Sequence, residues 1–428
     1  MSSAQTGAQE TLANLVDTYS RRVCSAVLDQ HHEDSVSSPL GVWLLLAAAA
    51  SAASGEQLTA LEDALGCSSS EASVLLALFL EAPPPALHSA LALWVRSDDF
   101  SSKLVAWSSM LPSQVSRGSI PTQPEADTWA DRNTLGLIKR FPLKIDELTR
   151  LILTSALATK VSWETPFEAV PASEFLPTSS PWFGLVERVL LDTVGERNMV
   201  ANTAAAGTVA VHFAQAVEEL VVVSVSADPS VDRSRVFDAA YDIARLCRDD
   251  KLESARCKLF GLPLGRGHSW DITEEEVLAF EPGNHEAVVS SVLPAWSITS
   301  RLDLNVSDRF GVDPAIDALL DLIGRSPGGD LTQAVQSAVA SYTPVGFDAA
   351  AISTFWLAAG RPSQRALRRS AALCFDHPFA AVAISASNRD FGRTYSGHTE
   401  SFGLPLFSAW IANPNEADEG ATSGTTPP

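Results

Sequence analysis

Residues 35–66 read "SVSSPLGVWLLLAAAASAASGEQLTALEDALG". Pro39 suits the first turn of a helix, where its missing N–H costs nothing. The apolar run at residues 40–53 is too short to cross a bilayer comfortably, so it reads as a helix buried in a core. Ser54 and Gln57 have capping-box spacing, and Gly66 can end the helix that follows.

The rest of the chain is able to bury such a helix. It has 428 residues, 46% hydrophobic and 19% charged. Thirty basic against 51 acidic residues leave a net charge of −21, which argues against nucleic acid or an anionic membrane as partner, since both need basic surface. Cys24, Cys67, Cys247, Cys257 and Cys374 are scattered, with no C-x-x-C spacing, and read as reduced thiols. The N-terminal segment lacks a basic start followed by an apolar core. A soluble, cytoplasmic monomer is therefore expected.

Outward from residues 35–66, helical spacing covers Thr11 to Gln30, and "EADTWADRNTLGLI" reads as an amphipathic helix. Strands are expected at "ALHSALALWVR", "RLILTSALATKVSW", "GTVAVHF", "ELVVVSVSA", "QAVQSAVASYT", "FAAVAISAS" and "LPLFSAWIAN", from β-branched and aromatic content. The mixture lacks a βαβ rhythm and predicts an α+β fold. A single domain is expected over 1–412, with a polar, disordered tail over 413–428.

No P-loop, G-x-G-x-x-G or H-E-x-x-H is present, and "GRGHSWD" lacks the last glycine of a nucleophile elbow. His31 and His32 are adjacent, so they do not converge on one metal. His377 reads as a structural histidine. The sequence supports no enzyme, metal site or cofactor.

Seven segments, in order, resemble the serpin family. They are residues 35–66, "ADTWADRNTLGLI", "LILTSALATKVSWETPF", "SSVLPAWSITSRLDL", "LTQAVQSAVASYTPVGFDAAA", "CFDHPFAAVAI" and "SAWIANP". The likeness spans roughly residues 10–415 and is weakest over 168–285. It implies three β-sheets, eight or nine helices and an exposed reactive loop, here about 344–373. A serine protease attacks the loop, which then enters the main sheet as an extra strand and distorts the acyl-linked protease.

Insertion makes demands on the loop. Gly346 supplies a pivot. With Asp348 facing solvent, alternation turns Phe347, Ala349, Ala351 and Ser353 to the other face, with Ala350 between them. The alanines are small enough to enter. Phe347 is not, because inhibitory serpins usually carry a small residue at the first entering position. Pro344 stands where the family favours Glu. The alternative reading is therefore a non-inhibitory binding protein or a protease substrate. The resemblance also sets Ser38, Ser155 and Gln336 where the sheet opens, with a Ser155–Gln336 hydrogen bond expected to replace the family's Asn–His bond.

Spacing gives two positions for the reactive bond. Seventeen residues from Pro344 point to Gly360–Arg361, whereas eight back from "CFDHPF" point to Leu367–Arg368. The difference predicts a longer loop than usual. Arg361, Arg365, Arg368 and Arg369 suggest a trypsin-like protease, with Arg365–Ala366 attractive because Pro362 protects the bond after Arg361. Residues 388–401 form an additional polar stretch between two strands.

Overall fold

The computed structural model describes residues 3–193, 195, 197–279, 286–326, 331–346, 364–386 and 403–415. The chain opens with α1 (Ser3–Gln30), β1 (Ser35–Ser37), α2 (Pro39–Ala50), α3 (Gly55–Leu65) and α4 (Ser69–Glu81). Next come β2 (Leu87–Val95), α5 (Ser102–Met110), β3 (Ser116–Ser119), α6 (Gln123–Asn133) and β4 (Leu151–Thr159). The middle contains β5 (Glu168–Pro171), α7 (Ala172–Phe175), β6 (Arg188–Asp192), β7 (Met199–Thr203), β8 (Gly207–Ala216), β9 (Leu220–Ser226) and α8 (Arg233–Arg248). β10 (Gly265–Arg266), β11 (Trp270–Ala279), β12 (Glu286–Pro294), β13 (Trp296–Asp303) and α9 (Val312–Ile323) follow. The last strands are β14 (Val335–Tyr342), β15 (Gln364–Cys374), β16 (Phe379–Ser385) and β17 (Pro405–Ile411).

α2 is the central helix that its composition predicts. Pro39 lies in its first turn, Ser38 caps it, and every residue of the helix except Leu45 is buried. Gly66 ends α3 in a left-handed conformation. Ser54 makes no side-chain cap bond, so the expected capping box is absent there. One forms instead at α6, where Thr122 N donates to Glu125 Oε2 at 2.8 Å.

Three sheets surround this helix. The first, β1-β17-β16-β9-β8-β7, packs β8, β9 and β16 against α8 through Val211, Val223, Val382 and Phe237. The second has the order β10-β11-β15-β12-β6-β5. The third, the main sheet, is split lengthwise into β3-β2-β4 and β13-β14. Side-chain alternation gives its first half two faces. Leu91, Leu93 and Val95 of β2 join the core around α2. Ala92 and Trp94 pack instead under α6 with Trp129, Phe141 and Ile152.

The expected reactive loop is shorter than 344–373. Arg365, Ala366, Leu367 and Arg368 belong to β15, paired with β11 from Gln364 to Leu373 and with β12 from Arg368 to Cys374. Of the two candidate bonds, Leu367–Arg368 therefore lies within a strand. Phe347, Ala349, Ala350, Ala351, Gly360 and Arg361 lie outside the described residues, as do 388–401 and all but 413–415 of the expected tail.

Candidate functional site: a slot in the main sheet

The facing edges of β4 and β14 are not paired with each other. Between them runs a cavity of about 720 Å³, lined by Leu151 to Leu157 of β4 and Val335 to Ala338 of β14. Val42, Leu46 and Ala49 of α2, with Ala315 and Leu319 of α9, form one wall, and Trp129 and Ala130 of α6 form the opposite one. Bordered by the nine residues of β4, the slot is roughly 30 Å long. Unpaired strand edges facing each other across an apolar gap offer hydrogen bonds to one further strand.

Gly346 closes one end of the slot through a bridge to Ser162 on the segment after β4. Its φ is +99°, and a Cβ there would lie 2.4 Å from the Val161 carbonyl oxygen and 2.7 Å from Ser162 Cα. Glycine is therefore required in this conformation. Around it, Phe167 N donates to Pro344 O at 2.7 Å and Trp163 N to Val345 O at 3.3 Å. The Trp163 indole N–H donates to Thr343 O at 2.8 Å. Rings of Trp163, Phe167 and Tyr342 pack beneath, with Phe167 and Tyr342 stacked 5.7 Å apart. Burial holds the Tyr342 phenol far above its ordinary pKa and neutral.

Midway down the slot, Ser38, Ser155 and Gln336 come together, but not through the bond expected between the last two. Gln336 Oε1 accepts from Ser38 N at 2.9 Å, and its Nε2 donates to Ser38 O at 2.7 Å. Ser155 Oγ donates to Gly41 O at 3.1 Å. Ser38 Oγ, itself buried, donates to Leu406 O at 2.7 Å. Both side chains thus tie their strands to the start of α2. A glutamine is long enough to reach that backbone and serine is not long enough to reach across the gap.

The basic stretch of the second sheet is compensated. Arg368 Nη2 lies 2.8 Å from Glu286, and Arg369 Nε lies 2.7 Å from Glu274. His377, beside this sheet, faces acceptors with both ring nitrogens: Asp376 Oδ1 at 2.8 Å and Ala227 O at 2.7 Å. Burial alone would lower its pKa, but these bonds outweigh it and raise it. Among the described residues no group of three His, Cys, Asp or Glu side chains could hold a metal ion.

The fold as a whole matches known structures. The native structure of the thermophilic serpin tengpin aligns with a TM-score of 0.63 and 17% identity over 94% of each chain. Human thyroxine-binding globulin complexed with its hormone gives 0.63 and 14%, covering 96% of this chain and all of that one. A cleaved serpin, Serpin 42Da, gives 0.61 and 16%, covering 97% and 100%. The family model described as Serpin (serine protease inhibitor) matches residues 16–178.

The chain has the serpin fold.

No curated protein matches this chain by sequence. Over residues 16–178 the likeness is one of sequence, and over the rest of the chain it is one of fold. Sequence reasoning missed β11, which adds a strand to the second sheet beyond β15. A signal was present: Trp270 and Ile272 alternate with exposed Asp271 and Thr273 and turn inward.

Proposed function

We propose that this protein inhibits a serine protease by offering a loop for cleavage and drawing the cut end into the slot between β4 and β14. The observation that carries the reading is the slot itself, with unpaired edges, apolar walls and a glycine pivot at its mouth. In the inserted strand Ala349, Ala351 and Ser353 would meet the wall of Val42, Leu46, Ala315 and Leu319, with Asp348 turned to the opposite side, towards α6. Gly360–Arg361 is taken as the reactive bond, because β15 begins at Gln364 and holds the later arginines in a sheet. The residue before that bond is Gly360, so a protease accepting a small residue is expected, and the trypsin-like expectation loses its support because Pro362 protects the bond after Arg361.

A second reading, a binding protein or a plain protease substrate, is favoured by Phe347 and Pro344 at the front of the entering segment. Forcing a ring into a packed slot costs on the order of 1–3 kcal/mol, and slow entry lets the acyl-enzyme hydrolyse. Thyroxine-binding globulin shows that ligand carriage occurs on this fold.

Incubation with serine proteases selective for basic and for small apolar residues, followed by denaturing electrophoresis and mass spectrometry of the released peptide, separates the readings. A denaturation-resistant complex and a cut at Gly360–Arg361 are expected. Cleavage with no complex would sink inhibition, and a cut after Arg365 would move the reactive bond.

A further inference from the structure

We infer that β11 clamps β15 into its sheet and so prevents the uncut chain from filling the slot, which makes cleavage the condition for insertion. This rests on the insertion reading above. The chain beyond Gly346 is fixed at both ends: by the Ser162 bridge at one and by Gln364, the start of β15, at the other. Seventeen residues, 347–363, lie between. Each residue that descends as a strand needs about one more to climb out, so an uncut chain can place only about eight in the slot. The β4 side of the slot runs from Leu151 to Val161, next to that bridge. Filling it without cleavage therefore requires β15 to leave its sheet.

β15 is held on both sides. β12 pairs with it in parallel from Arg368 to Cys374, and β11 pairs with it antiparallel from Gln364 to Leu373. Gln364 to Leu367, where peeling would begin, have β11 as their partner. β11 and β12 flank β15 on opposite sides. Side chains repeat the arrangement. Arg368 lies 2.8 Å from Glu286 on β12 and 3.6 Å from Glu275 on β11. Arg369 lies 2.7 Å from Glu274 on β11, and its Nη1 also donates to the carbonyls of Leu259 and Leu262 at 2.8 and 2.9 Å. Its guanidinium covers the Phe260 ring at 4.9 Å. Beneath, Ile272, Ala371 and Leu373 are buried. Arg368 and Arg369, two of the arginines that looked like protease bait in the sequence, are fasteners.

The test uses the full intact chain, held for days at a temperature below its unfolding transition. The readout is uncut monomer whose 347–363 segment resists proteolysis and whose Tm has risen. Glu274→Lys with Glu275→Lys sets like charges against Arg369 and Arg368 while leaving the backbone intact, and Val277→Pro separately weakens the β11–β15 ladder. The wild type is expected to remain unconverted, and both variants to convert at least about tenfold faster, since their defect lies in an interaction lost on the way. Circular dichroism of the starting material checks the fold, and the Lys pair decides if the Pro variant misfolds. Conversion of the Lys pair at the wild-type rate overturns the clamp, as does rapid conversion of the wild type. Loop-cleaved chain is measured alongside: if it gains no thermal stability, insertion itself fails and the clamp falls with it; if it does, only the clamp is in question.

Discussion

Replacing Gly346 by alanine should loosen the mouth of the slot in the intact molecule and leave the cleaved molecule nearly untouched. At φ +99° the new Cβ would sit 2.4 Å from the Val161 oxygen, 2.7 Å from Ser162 Cα and 2.9 Å from Trp163 N, all backbone atoms. Backbone has no rotamer by which to retreat, so the Ser162 bridge must part. A left-handed conformation costs an alanine roughly 1–2 kcal/mol, and the overpacking about as much again or more. The total is about 2–4 kcal/mol in the uncut state. Unfolding entropy of about 2.1 cal/mol/K per residue gives roughly 0.9 kcal/mol/K for this chain, so its Tm should fall by about 2–4 °C. After cleavage and insertion, residue 346 would continue β14 in extended conformation, which alanine adopts without strain. The assay is scanning fluorimetry of wild type and Gly346→Ala, each intact and loop-cleaved. Equal losses in both states, or no loss in the intact state, would refute the hinge.

Phe347→Thr should shift the protein from substrate towards complex, read as the fraction of protease trapped per loop cleaved; an unchanged fraction removes Phe347 as the obstacle. Gln336→Ala strips two hydrogen bonds from the Ser38 backbone and leaves that buried amide unpaired. A loss of about 1–3 kcal/mol is expected, measured by denaturant unfolding, whereas Ser155→Ala, with one bond to Gly41, should cost less. His377 has a raised pKa in the fold, so its charged form stabilises. That contribution is complete below the ordinary histidine value of about 6.5 and fades as pH rises through the raised one. His377→Gln should therefore cost more stability at pH 6 than at pH 9. His268, lowered first by burial, has the opposite sign, so the comparison must be made between wild type and variant at each pH.

The parts of this fold that were legible in the sequence are those set by local chemistry. Pro39 and an unbroken apolar run announced α2, and β-branched runs announced β4, β8, β9, β14 and β16. The hinge was legible because only glycine tolerates the backbone that Gly346 adopts. What could not be read were partners chosen by tertiary distance. The reach of Gln336 and of Ser155 decides that both bind the start of α2 and not each other. The four arginines misled because a run of positive charge looks the same in solvent as in a sheet. Only the position of Glu274, Glu275 and Glu286, some 80 to 95 residues upstream, shows that two of them are neutralised.

The indole at the mouth of the slot makes the molecule its own optical probe. Trp163 is 3% exposed, and its N–H ends on the Thr343 carbonyl, one residue past β14, which borders the slot where the proposed strand would enter. If a further strand enters beside β14, its emission is expected to change as that carbonyl moves away. A Trp163→Phe variant, subtracted from wild type in stopped-flow fluorescence, would isolate this signal from the other tryptophans. It would time the opening of the sheet against the chemistry of cleavage, with no label attached.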